Sequence, residues 1–206
     1  MIAAQGAAPI RAVVFDVFGT IVEIGTKRWP FAKLARATSN PREALHSVLT
    51  TPLGLREAAR ALGCSDIPLS VVAKDLETEL ASVSLFPEVA ETLNAVLARG
   101  LKIGIASNLA APYAAAVMRV LPFALDAYGW SFEIGFVKPH PAHYRWVCRQ
   151  LQVAPEETLM IGDALDADFH GARACGLRAV HLARGGRIVT PDIPAVQTLD
   201  EILAWL

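Results

Sequence analysis

Four short stretches of the chain set polar residues directly after apolar runs or ahead of a helix: Asp16-Val17-Phe18-Gly19-Thr20, Ser107-Asn108, Lys138-Pro139, and Gly162-Asp163 with Asp168 five residues later. A carboxylate at the end of a strand can attack an electrophile and form an acyl-type intermediate, splitting one hard displacement into two easier ones. Two such carboxylates, Asp16 and Asp163, would share Mg²⁺, which favours hard oxygen ligands, where their strand ends lie side by side. Ser107 and Lys138 offer a hydrogen bond and a positive charge to an anion. Gly19 and Thr20 suit the tight turn that aims Asp16. Singly, each residue has a plainer reading: an acid ending a strand often caps a helix or holds a loop, and Asn108 is of the type favoured at an N-cap.

Other polar and aromatic residues read mostly as structural. Asp166 suits a solvated helix position, with a place beside a metal as the alternative. His140 and His143, three apart after Lys138-Pro139, suit capping and solvent contact at a helix start. His170 and His181 suggest no partner. Trp130, Trp146 and Trp29 read as packing residues, although Trp29 lies where it can overhang a site.

The elements that must position these residues follow from hydrophobic periodicity. Apolar runs at 11–16, 101–108, 158–163 and 177–183 predict buried strands, each ending in or near polar residues. Between them, residues 87–99 place Val89, Leu93, Val96 and Leu97 on one helical face, with Pro87 near the start and Gly100 after the end. Residues 110–121, 141–151 and 164–175 also predict helices, the last closed by Gly176. Strands alternating with helices predict an α/β fold: a Rossmann-like parallel sheet with helices on both faces and ligands at the carboxyl ends of the strands. Residues 21–85 break the alternation, with helical patterns at about 28–37, 41–49, 54–62 and 69–82 separated by Pro41, Pro52, Gly54 and Pro68. The expected organisation is an α/β core of residues 1–20 and 86–206 and a small α-helical cap domain of residues 21–85. A short helix is expected at 198–206.

Composition removes several classes of function. With 53% hydrophobic and 19% charged residues over 206 positions, the chain can bury a core and is far from disorder. Its net charge is -1 with no basic run, so nucleic acid is not an expected partner. Three widely spaced cysteines without a CxxC pair suggest neither a disulfide framework nor a zinc site, and fit a reducing cytoplasm. Mean hydropathy of +0.38 raises the question of a membrane span. The longest suspicious stretch, Ile103–Met118, holds Ser107, Asn108 and Pro112 and falls short of the ~20 apolar residues a spanning helix needs. The N-terminus has no cationic region before an apolar block, so a cytoplasmic location is expected. A monomer and a homodimer fit equally.

Taken in order, the four stretches resemble the four motifs of the haloacid dehalogenase-like hydrolase superfamily. The resemblance spans nearly all of the core, and a helical cap inserted after the first motif matches it too. It implies Asp16 as nucleophile, and Mg²⁺ held by Asp16, the backbone carbonyl of Phe18 and Asp163, with Asp168 supporting the metal site. Ser107 and Lys138 would hold phosphoryl oxygens, with Gly19, Thr20 and Asn108 also at the substrate, and the cap would close over the site. Lys27, Arg28, Lys33 and Arg36 make the cap mildly basic, which suggests a small anionic substrate.

One position departs from the family's phosphatases, which carry a second aspartate two residues after the nucleophile as general acid and base. Phe18 stands there, and a positioned acid-base group is worth ~10²–10⁴ in rate. An aromatic residue at this position resembles the 2-haloacid dehalogenase branch, where halide leaves without a proton. That branch typically has a Ser-Asn type fourth motif and no metal, whereas Gly162-Asp163 and Asp168 are present here. Three readings follow. The preferred one is Mg²⁺-dependent hydrolysis of a small phosphorylated substrate. The second is metal-independent 2-haloacid dehalogenation with a halide cradle from Lys27, Arg28 or Arg42. The third is a non-catalytic phosphate-binding homologue.

Overall fold

The computed structural model describes residues 8–64, 67–186 and 192–206. Most of the N-terminal stretch read above for a leader lies outside them. The Val-rich run after Arg11 forms β1 (Ala12–Phe15), buried along its whole length. Its side chains alternate between two apolar clusters, Val13 and Phe15 in one, Ala12 and Val14 in the other, as a period of two requires.

The chain then forms β2 (Val22–Ile24), four helices, α1 (Pro30–Arg36), α2 (Pro41–Thr50), α3 (Leu55–Ala61) and α4 (Leu69–Ala81), and β3 (Val83–Leu85). Strands β2 and β3 pair antiparallel, Val22 opposite Leu85, so the segment read as wholly helical begins and ends on a two-stranded ribbon. Three-residue strands are too short for periodicity to reveal. Next come α5 (Val89–Ala98), β4 (Lys102–Ser107), α6 (Pro112–Val120), β5 (Ala127–Trp130), α7 (Ser131–Ile134), α8 (Pro141–Leu151) and β6 (Thr158–Gly162). A π-helical turn, Leu165–His170, leads into α9 (Gly171–Ala174), β7 (Arg178–Leu182) and β8 (Ala195–Val196), and a 3₁₀ segment covers Leu199–Trp205. The helices expected at 164–175 and 198–206 are thus a π turn joined to one short α-turn, and a 3₁₀ segment.

Six strands make one parallel sheet in the order β5-β4-β1-β6-β7-β8. Two of them, β5 and β8, are absent from the sequence reading. Strand β5 hides because Gly129 interrupts its apolar run; that glycine is needed where it is, since a Cβ would run into Val147 of α8 and the Ile105 carbonyl. Helices α5 and α6 pack on one face of the sheet and α8 and α9 on the other. The first cluster continues into the helical segment through Phe31, Leu34, Val48 and Leu76. On the second face, α8 buries Tyr144, Val147, Cys148 and Leu151, one helical stripe, against Met160 and Ala179. A fully buried Leu such as Leu151 contributes on the order of 1.5–3 kcal/mol.

The three cysteines are free. Among the described residues no helix is long and apolar enough to cross a membrane. The uncharged stretch Ile103–Met118 divides into most of β4, a loop and most of α6.

Candidate active site

Because the strands run parallel, all their carboxyl ends open on one edge. Strand β1 lies between β4 and β6, the point where the chain order reverses, so Asp16 after β1 is flanked by Ser107 ending β4 and Asp163 after β6. The Asp16 N–H continues the ladder to the Ile161 carbonyl at 2.8 Å, which fixes the direction of the loop at its first residue.

That loop closes tightly: the N–H groups of Thr20, Ile21 and Val22 all donate to the Val17 carbonyl, and Gly19 donates to Val22. Gly19 has φ 86°, and a Cβ on it would lie 2.5 Å from Asp163 Oδ2. Glycine is required both by the backbone and by the carboxylate packed over it. Gly162 is equally constrained, since a Cβ there would overlap the Asp168 carboxylate. The π turn after β6 returns Asp168 to the site, where its Oδ2 accepts from the Ala164 N–H at 3.0 Å.

Lys138 comes from the loop before α8 and is 4% exposed. Its Nζ donates to Asp16 Oδ1 at 2.7 Å and to Asp168 Oδ1 at 2.6 Å. Asn108 accepts from the Lys138 N–H at 2.7 Å and donates to its carbonyl at 2.9 Å. Asn108 therefore ties the β4 loop to Lys138 and does not cap α6, which begins at Pro112. Asp16, Ser107, Asn108, Lys138 and Asp168 wall a pocket of about 150 Å³, with Phe18 at its side.

Carboxylate oxygens of Asp16, Asp163 and Asp168 all lie within 4.8 Å of one another. Three convergent hard oxygen donors fit a cation such as Mg²⁺. Burial, reinforced by Asp168 and Asp163 and opposed by Lys138, raises the Asp16 carboxyl to about 6. Burial alone would lower the Lys138 ammonium, but Asp16 and Asp168 beside it hold it above its ordinary value.

The remaining sequence candidates fall elsewhere. Thr20 is fully buried and lines neither this pocket nor the larger cavity described below. Asp166 is exposed and outside the carboxylate cluster. His140 caps α8 by accepting from the Ala142 N–H. His143 is fully buried, not solvated, with ring nitrogens 2.8 Å from the Phe136 carbonyl and 3.1 Å from that of Gly129. Trp130 is buried in the first apolar cluster, Trp146 packs against the second, and Lys33 pairs with Asp75 between α1 and α4.

Three residues belong around the site without a role read from the sequence: Arg184 and Glu79, which it does not single out, and His181, for which it suggests no partner. His181 Nε2 lies 3.1 Å from the Asp163 carbonyl. Arg184 donates to the Gly19 and Thr20 carbonyls, pairs with Glu88 at 2.6 Å and lies 3.8 Å above the Phe86 ring, bracing the Asp16 loop from β7. Glu79 of α4 is 2% exposed and accepts from Tyr113 of α6 and from the Arg28 and Trp29 N–H groups. Tyr113 in turn meets the Phe18 ring edge-on at 5.7 Å. Glu79, Tyr113, Phe18 and Arg184 line a second cavity of about 680 Å³ that reaches Gly19, Asn108 and Asp163. A lone Glu in a predicted helix, or an Arg after a strand, carries no signal of such a role.

Residues 10–176 match the family model for haloacid dehalogenase-like hydrolases. Over 129 residues the chain is 33% identical to the phosphoglycolate phosphatase of Escherichia coli K12, covering 59% of this chain and 51% of that protein. The chain thus spans about half the length of the phosphoglycolate phosphatases it matches. Over 205 residues it is 29% identical to the glyceraldehyde 3-phosphate phosphatase of Methanopyrus kandleri, covering 85% of each. The L-2-haloacid dehalogenase of Xanthobacter autotrophicus, solved with chloropropionic acid covalently bound, superposes with a TM-score of 0.66 at 21% identity over 95% of this chain and 97% of that one. With most of its length matched, the chain belongs to the haloacid dehalogenase-like hydrolase family.

Proposed function

We propose that the chain is a Mg²⁺-dependent phosphatase in which Asp16 is the nucleophile. The observation that supports this most is the pocket where Lys138 bridges Asp16 and Asp168 beside Ser107, with Asp163 converging on the same point. A carboxylate oxygen of Asp16 bonds to phosphorus as the ester P–O bond breaks, and the leaving oxygen takes that electron pair. Water then attacks the aspartyl phosphate, releasing inorganic phosphate and restoring the carboxylate. The Lys138 ammonium and the Ser107 hydroxyl would hold phosphoryl oxygens throughout.

Asp16, Asp163 and the backbone carbonyl of Phe18 would hold the Mg²⁺, which when bound shields the attacking carboxylate from the phosphate charge. Both carboxylate oxygens of Asp168 are engaged, by Lys138 and the Ala164 N–H, so it serves as the support that orients Lys138. The helices between β2 and β3 act as the cap, and residues 21–85 form its domain. The relatives named phosphatase support a phosphorylated substrate.

Phe18 favours a second reading, 2-haloacid dehalogenation, which needs no proton for its leaving group. One experiment separates the two: phosphate release from p-nitrophenyl phosphate and halide release from short 2-haloacids, each with Mg²⁺ or EDTA and with Asp16→Asn as blank. Mg²⁺-dependent phosphate release supports the proposal. Halide release that survives EDTA and requires Asp16 replaces it with the second reading, and phosphate binding without either turnover leaves a binding protein.

A further inference from the structure

The second cavity is larger than a two- or three-carbon phosphate needs. At about 680 Å³ it falls within the ~300–1,000 Å³ range of pockets that enclose drug-sized ligands. It meets the 150 Å³ pocket at Phe18 and Asn108, so a leaving group attached to phosphorus at Asp16 would extend into it. Its walls include the rings of Phe18, Phe31, Tyr113 and Trp29.

Trp29 is set up with unusual care. It has φ 58° and ψ 49°, a left-handed backbone conformation that residues other than glycine rarely adopt, and Pro30 follows it. The backbone is pinned there by Glu79, whose Oε1 accepts from the Trp29 N–H at 2.5 Å and from the Arg28 N–H, while Tyr113 donates to Oε2. Three donors satisfy a carboxylate that is 2% exposed and would otherwise be costly to bury. Trp29, held by this scaffold, remains 56% exposed at the cavity, with Lys27 Nζ 5.7 Å from its ring centre.

Phe18 supplies an independent constraint. Without a proton donor at that position, departure is fast only for an oxygen that is stable as an anion. A phenol-type oxygen, with a pKa of about 10 like tyrosine, qualifies, whereas an aliphatic alkoxide, far more basic, does not.

We propose that Trp29 is the platform for a planar ring in the leaving group, and that the preferred substrate is a phosphate monoester of a ring-borne, phenol-type hydroxyl. This rests on the phosphatase reading above. The test compares kcat/KM for 1-naphthyl phosphate, benzyl phosphate and 2-phosphoglycolate in the wild type, Trp29→Ala and Trp29→Phe. Naphthyl phosphate is expected to exceed phosphoglycolate by a hundredfold or more, and benzyl phosphate, a ring on an aliphatic oxygen, to fall between them. Stacking on an aromatic side chain supports a decrease of about tenfold in the naphthyl-to-phosphoglycolate ratio for Trp29→Ala, through KM, with most of it restored in Trp29→Phe. Phosphoglycolate turned over as well as naphthyl phosphate, or a ratio that Trp29→Ala leaves unmoved, overturns the proposal. Should no ester be hydrolysed, the phosphatase reading fails, and calorimetric titration of the Asp16→Asn protein still decides on the platform. Naphthyl phosphate binding at least tenfold tighter than inorganic phosphate, and losing that margin in the Trp29→Ala background, supports it; equal binding overturns it.

Discussion

Asn108 and Lys138, thirty residues apart in the chain, exchange two hydrogen bonds: the Asn108 carbonyl oxygen accepts from the Lys138 N–H at 2.7 Å, and its amide donates to the Lys138 carbonyl at 2.9 Å. The exchange sets the backbone from which the buried ammonium reaches Asp16 and Asp168. Asn108→Ala removes both bonds, each worth about 1 kcal/mol net. Turnover should fall by about tenfold or more, with Lys138 still present but displaced, while the melting temperature drops only modestly. The check is kcat and KM side by side with a thermal melt. A loss confined to KM would show that Asn108 contacts substrate and does not position Lys138.

How much of this is readable from the chain depends on what each position does. Asp16, Ser107 and Asp163 are legible because parallel strands bring their carboxyl ends to one edge whatever the tertiary details. The Asn108 exchange is not, since an asparagine after a strand is equally suited to capping the next helix. The roles of Arg184 and Glu79 depend on contacts between residues 34 to 165 positions apart in the chain and leave no periodic trace. Strand β5 is obscured by Gly129, whose purpose is the close approach of α8. The π turn at Leu165–His170 escapes because amphipathic spacing there resembles an α-helix.

The Asp16 carboxyl, raised from 3.8 to about 6 mainly by burial, makes the metal-free fold pH-dependent. Between those values the folded chain keeps a proton that the unfolded chain has lost, so stability falls as pH rises through the window. A shift of that size corresponds to about 3 kcal/mol. In EDTA, Asp16→Asn should therefore be more stable than the wild type above pH 6, with the difference vanishing below pH 4. Mg²⁺ should reverse the order at pH 7.5, because a bound cation favours the ionised carboxylate. Urea denaturation of both proteins at pH 4, 5, 6 and 7.5 measures this. Parallel curves would mean that the Asp16 carboxyl is ordinary.

Gly19→Ala tests the loop and the metal position together. The left-handed backbone, φ 86°, costs an alanine about 1–2 kcal/mol. The added methyl would also lie 2.5 Å from Asp163 Oδ2, so Asp163 must swing away from the cluster. The expected outcome is a Mg²⁺ affinity at least tenfold weaker by calorimetry, beyond the loss of stability seen in EDTA. Unchanged Mg²⁺ affinity would remove Asp163 from the ligand set.

Phe18→Asp asks whether the missing acid limits the reaction. The ring now packs edge-on against Tyr113 at 5.7 Å, an arrangement worth about 0.5–1.5 kcal/mol beyond the area it buries, so the variant should lose stability. Phe18 also lies where the small pocket meets the large cavity, so a carboxyl there can reach the leaving oxygen. A fully positioned acid gives ~10²–10⁴; an engineered one should recover about tenfold on benzyl phosphate, whose leaving group needs the proton. On 1-naphthyl phosphate, which departs without it, the gain should be absent. The diagnostic is the ratio of the two kcat values, which is insensitive to the fraction of folded enzyme. A ratio unmoved by Phe18→Asp would mean that leaving-group departure is not the slow step, and that the wild type's reaction is limited at Asp16, Lys138 or product release.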